Sequence, residues 1–108
     1  MKQNICMKSC ITCGMPLEGA HAGDVGMELA KGFVCKHDLE NGVIKRPEVI
    51  FEGGVAFFVG VVGGDRDLAR RLTRKNMRSL PYWQAHPFAE LDGQEASTAE
   101  FAQAMKNL

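Results

Sequence analysis

The chain has 108 residues, 13 of them basic and 13 acidic, so its formal net charge is zero. That length allows one small domain or two very small modules, and 45% apolar with 24% charged residues excludes wholesale disorder. A neutral total excludes a uniformly basic nucleic-acid binder and a polybasic membrane protein, provided that the charge is evenly spread.

From the start of the chain, Lys2, Lys8 and several polar residues interrupt any apolar run of the secretory type. The longest apolar stretch, residues 55–62, is about half of what a membrane span needs. The expectation is a cytoplasmic protein with reduced thiols and no membrane partner. In that setting close cysteine pairs point to metal or redox chemistry rather than to structural disulfides. Residues 1–45 are Gly-rich, balanced in charge at five basic and five acidic side chains, and short of large apolar residues. Val25–Leu29 and residues 32–34 read as strands of a small hairpin. A module this small needs a staple.

The cysteines supply one. Cys10-Ile11-Thr12-Cys13 is a CxxC turn that aims two sulfurs at one point, and Gly14 behind it tolerates the positive φ such a turn requires. After 21 intervening residues comes Cys35-Lys36-His37-Asp38, with Asn41-Gly42 shortly beyond. Structural zinc takes four ligands in a tetrahedron, from Cys, His and less often carboxylates. Cys10, Cys13 and Cys35 are therefore the expected ligands. The fourth position is open among Asp38, His37, Cys6, His21 and water. Ordinary buried thiols and a CxxC redox pair are the competing readings, but the βαβ setting of a redox CxxC is missing.

Residues 10–17, CITCGMPL, resemble the CxxCGMPL opening of a zinc-ribbon domain family of small bacterial and archaeal proteins. Residues 35–42, CKHDLENG, resemble that family's second turn, usually CxxC with Asn-Gly soon after. The resemblance runs on through a helical segment and a basic amphipathic helix to Leu80-Pro81-Tyr82-Trp83, covering roughly residues 7–84. It implies a small α+β protein: an N-terminal zinc ribbon of rubredoxin-like knuckles with short β-hairpins, followed by a helical segment. It also implies Zn2+ as cofactor, with Asp38 standing where the family has its fourth cysteine and so ranked first as fourth ligand, His37 second, and Cys6, His21 or water behind them.

Beyond Pro47, a residue suited to a first helical turn, Ile50, Phe51, Val55, Phe57, Phe58, Val61 and Val62 cover a broad helical arc with Glu48 and Glu52 at its margin. Gly53 and Gly54 weaken the helix by roughly 1 kcal/mol each, and a buried strand at 55–62 is the rival. Gly63-Gly64 closes this element. Asp65 then caps a second helix to about Ser79, stopped by Pro81. Its apolar arc is Leu68, Ala69, Leu72 and Leu80. The opposite side carries Arg66, Arg70, Arg71, Arg74, Lys75 and Arg78, so residues 65–79 sum to +4 while residues 80–108 sum to −3. Such a face is either simply solvated or meets an anionic partner, a nucleic acid or an acidic protein surface. Phe51, Phe57 and Phe58 read as core against Leu68, Leu72 and the ribbon, and Tyr82-Trp83 as the closure of the hairpin. His86 has no evident partner. A Pro- and Gly-containing connection spans residues 82–93, and Ser97-Thr98-Ala99-Glu100 matches a capping box before a short helix with Phe101, Met105 and Leu108 on one face.

The expected organisation is thus a zinc ribbon at 7–45, a helical hairpin packed on it at 46–84, and a linker with a short C-terminal helix at 85–108. No catalytic triad, nucleophile elbow or paired catalytic carboxylates can be identified, and Gly60-Val61-Val62-Gly63-Gly64 lacks the Lys and Ser/Thr of a phosphate loop. The functional expectation is a zinc-binding protein with a structural ribbon, serving as a regulatory or interaction module. A small metalloenzyme or CxxC redox protein is the alternative.

Overall fold

The computed structural model describes residues 9–108; Cys6 lies outside them. It is an α+β structure whose chain divides into two compact units, the first ending at Lys45 and the second running from Arg46 to Leu108. No helix among the described residues is long and apolar enough to cross a membrane.

The first unit holds two small antiparallel sheets. Strand β1 (Val25–Leu29) pairs with β2 (Gly32–Cys35), and β3 (Leu39–Glu40) pairs with β4 (Val43–Ile44). The register of β1 on β2 slips at Gly26, between the Val25–Cys35 and Met27–Val34 pairs. Glycine is required there: a Cβ would lie 2.6 Å from Leu39 Cδ1 and 2.8 Å from Lys36 Cα. The second hairpin turns through Asn41 and Gly42, both at positive φ (55° and 77°). That is the two-residue turn whose twist matches antiparallel strands, and it explains a hairpin not expected from the apolar pattern. Cys10, Leu17, Val34 and Cys35 form the buried centre, ringed by half-buried Ile11, Met15, Val25, Met27, Leu29, Phe33, Leu39 and Ile44. Two of those four central residues are cysteines, so this core and the sulfur cluster are one feature.

The second unit is helical: α1 (Pro47–Val61), α2 (Arg66–Arg78), α3 (Pro81–Ala85) and α4 (Thr98–Lys106). Residues 55–61 are helix, not strand. The buried side chains of α1, Ile50, Phe51, Val55 and Phe58, follow the helical repeat, and residues 56 and 57 are both exposed where a strand would alternate. The helix ends where Gly63 turns to φ 66° and the Gly64 N–H reaches back to the Val59 carbonyl at 2.9 Å, a Schellman closure that satisfies an orphan carbonyl. Asp65 caps α2 by accepting from the Leu68 N–H at 3.0 Å, as the sequence predicts. Ala69, Leu72, Thr73 and Met77 are the buried face of α2, with Leu68 and Leu80 only half-buried.

Three readings need correction. Phe57 is not core: it is 55% exposed, lying edge-on to Phe58 on the outer side of α1. The connection after Leu80 is more ordered than its Pro and Gly content suggests. Pro81 opens α3, Trp83 is buried against Phe88, and His86 stacks on the Tyr82 ring with its Nδ1 2.9 Å from the Tyr82 carbonyl. In α4 the capping box between Ser97 and Glu100 is present, but Met105 and Leu108 are exposed, and Ala104 is the buried position. Residues 85–108 therefore belong to the helical unit, through buried Leu91, Ala96 and Ala104.

Candidate metal centre

Two turns bring the sulfurs together. In the first, the Gly14 N–H bonds the Cys10 carbonyl at 2.8 Å and the Cys10 N–H bonds the Met15 carbonyl at 2.9 Å. Gly14 takes the positive φ of 82° that the sequence anticipates. A bond from the Ile11 N–H to the Phe33 carbonyl at 2.9 Å ties this turn to β2. The second is a single 3₁₀ turn, Lys36–Asp38, directly after Cys35. Side chains three residues apart eclipse one another in such a turn. Asp38 therefore stands on the same side as Cys35, and His37 points elsewhere.

The result is one cluster. A sulfur from each of Cys10, Cys13 and Cys35 and a carboxylate oxygen of Asp38 all lie within 4.8 Å of one another. Cys13 Sγ is 3.7 Å from Cys35 Sγ, and Cys10 Sγ is 3.4 Å from Asp38 Oδ2. Tetrahedral zinc with ordinary Zn–S and Zn–O bonds has S···S edges of about 3.8 Å and S···O edges of about 3.5 Å. Both distances fit the edges of such a tetrahedron. The donor chemistry fits as well: three thiols with a carboxylate match zinc's borderline-soft preference.

His37 is not part of the cluster. Its Nε2 lies 3.6 Å from Asp24 Oδ2, which His21 Nδ1 also approaches, at 3.0 Å; Lys36 Nζ takes the other oxygen at 3.2 Å. The His21 ring, followed by the Lys36 ammonium, holds the Asp24 carboxyl below the usual range. Both histidines considered as ligands thus gather on Asp24.

One residue of the site escapes the sequence reading. Thr12 is fully buried; its hydroxyl donates to Asp38 Oδ2 at 2.6 Å and lies 3.0 Å from Cys10 Sγ. Its signal is faint but real: it carries the one side-chain hydroxyl inside the CxxC turn. The Cys35 N–H also donates to Cys10 Sγ, at 3.2 Å. Cys10 is drawn well below the usual thiol range, first by hydrogen bonds from Cys13 and Cys35. The same contacts with Cys10 push Cys13 far up and Cys35 up to about 12. Burial pushes the Asp38 carboxyl up. Four acids crowded at one point cannot all ionise against one another, and a divalent cation is what would let them.

The basic face of α2 has oxygen partners throughout. Arg66 and Arg70 reach Glu52 at 3.5 and 3.3 Å. Arg71 bridges Asp67 and Glu100 at 3.0 and 2.8 Å. Lys75 and Arg78 share Glu95, each at 3.2 Å. Arg74 donates to the Glu90 and Gln94 carbonyls. Arg70 and Arg74 also lie over the Phe51 ring, at 5.3 and 5.8 Å, where the ring's negative face attracts a cation.

Compared with known protein families, curated proteins and solved structures, the chain matches none.

Proposed function

We propose that this chain is a zinc-binding protein whose first unit is a ribbon-like module built around a structural Cys₃Asp centre, and that it serves as a regulatory or interaction module rather than an enzyme. The observation that carries this reading is the convergence of Cys10, Cys13, Cys35 and Asp38 within 4.8 Å. Four protein donors complete a tetrahedron. A catalytic zinc keeps one position for water or substrate, so a closed donor set supports a structural role. Zinc would supply the charge that lets the four acids ionise together, and would tie the CxxC turn to the turn after β2.

Elemental analysis of the purified chain, its Asp38→Ala variant and its His37→Ala variant tests the proposal. The wild type and His37→Ala should retain zinc, while Asp38→Ala should lose most of it during dialysis. Wild-type protein free of metal after zinc-replete expression overturns the proposal. Loss confined to His37→Ala would instead overturn the ligand assignment.

A further inference from the structure

We propose that Cys13 and Cys35 are also a redox site, joined as a disulfide by a hydroperoxide, with ejection of the metal ion. This regulates the centre proposed above and rests on that reading only for the ejected ion. The two sulfurs stand 3.7 Å apart, at van der Waals contact, so bond formation needs only a small approach. The three cysteines are otherwise unlike. Cys10 is fully buried and its sulfur is engaged by the Cys35 N–H and the Thr12 hydroxyl. Cys13 is the half-buried member, the one an oxidant from solvent reaches first. Cys13 sits in the CxxC turn and Cys35 at the end of β2, so the bond would still hold the two turns together after the ion has gone.

The chemistry balances with hydrogen peroxide as oxidant. The Cys13 thiolate attacks one peroxide oxygen, the O–O bond breaks, and the departing hydroxide takes a proton from solvent and leaves as water, giving a sulfenic acid. The Cys35 thiolate then attacks the Cys13 sulfur; the S–O bond breaks, the S–S bond forms, and the departing hydroxide takes a second solvent proton and leaves as water. Two electrons pass from the sulfurs to the peroxide. With two of its four donors consumed, the centre no longer holds a divalent ion.

The test uses the full, zinc-loaded chain, treated with hydrogen peroxide, alkylated and digested with trypsin. Cleavage at Lys2, Lys8, Lys31 and Lys36 places Cys6 on residues 3–8, Cys10 and Cys13 together on residues 9–31, and Cys35 alone on residues 32–36. The expected product links fragment 9–31 through Cys13 to fragment 32–36, with the alkyl group on Cys10. Zinc should appear in solution in step with the link, one ion per disulfide, and a dithiol should reverse the link. A Cys10–Cys13 loop within fragment 9–31, a link through Cys6 or Cys10, or unlinked thiols with zinc retained overturns the proposal. Protein that purifies without metal would sink the zinc reading alone, because the cross-link is read by mass whether or not an ion is released.

Discussion

A buried hydroxyl 2.6 Å from a carboxylate oxygen fixes which way that carboxylate faces. Thr12 thus presents Asp38 to the three sulfurs in one orientation, in the way that outer partners orient metal ligands generally. Replacing Thr12 by Val keeps the shape and removes the donor. The expected outcome is metal binding weaker by about 10- to 100-fold, measured by competition with a chromogenic chelator, with Thr12→Ser retaining most of the affinity. Equal affinity in the Val variant would reduce Thr12 to packing. Spacing alone singles out the three cysteines that the structure gathers, and Asp38 led as their fourth partner through the resemblance of residues 35–42 to a ribbon's second turn. Thr12 was not readable, because its role exists only once the turn after Cys35 carries residue 38 to it. The choice of Asp38 over His37 comes from the same local geometry. One 3₁₀ turn decides which of two adjacent ligand-type side chains shares a side with Cys35.

Adjacent glycines in α1 show how an element can be right in outline and unresolved in detail. Both Gly53 and Gly54 count against a helix by propensity, yet they do different things. Gly53 faces open space, whereas a Cβ on Gly54 would lie 2.9 Å from Thr73 Cγ2. Thr73 cannot easily yield, since it is buried and its hydroxyl donates to the Ala69 carbonyl at 2.8 Å. Gly53→Ala should therefore stabilise the helical unit by about 0.5–1 kcal/mol. Gly54→Ala should destabilise it despite the same propensity gain, both read from urea unfolding. Equal stabilisation by the two would mean that α2 does not approach α1 at Thr73. Further along, the Ser97 N–H, and then Arg71, hold the Glu100 carboxyl below its ordinary value of 4.5. A carboxyl lowered on folding stabilises above its unfolded pKa, and that contribution fades as pH falls through the folded one. Stability of the unit should accordingly drop as pH falls below 4.5, and Glu100→Gln should flatten that part of the profile. An unchanged acid limb in the variant would show that Glu100 has no part in it.

At the scale of the whole chain, the zero net charge is local balance rather than uniform neutrality. The +4 of residues 65–79 faces carboxylates on α1 and along the −3 segment that follows. Exposed pairs of this kind contribute only about 0–1 kcal/mol each, so the pairing says more about how residues 85–108 lie than about stability. Helices α2 and α4 were readable because their caps and apolar spacing are local signals, whereas α1, with its two glycines, stayed open against a strand. The order in residues 81–91 was not readable, since it depends on Trp83 and Phe88 meeting across a turn. The two units also differ in what can hold them. In the second, Phe51, Leu72, Met77 and Trp83 are fully buried around helices that carry all the α-helix among the described residues. In the first, the buried centre is two cysteines with Leu17 and Val34, and a metal ion would supply much of its folding free energy. Stripping the ion with a strong chelator should therefore collapse the amide signals of residues 9–45 in an NMR spectrum while those of residues 46–108 stay dispersed. The helical ellipticity should change little. Simultaneous loss of both sets would mean that the chain folds as one cooperative body. Retention of both, with the metal gone, would mean that Leu17, Val34 and their half-buried neighbours suffice without it.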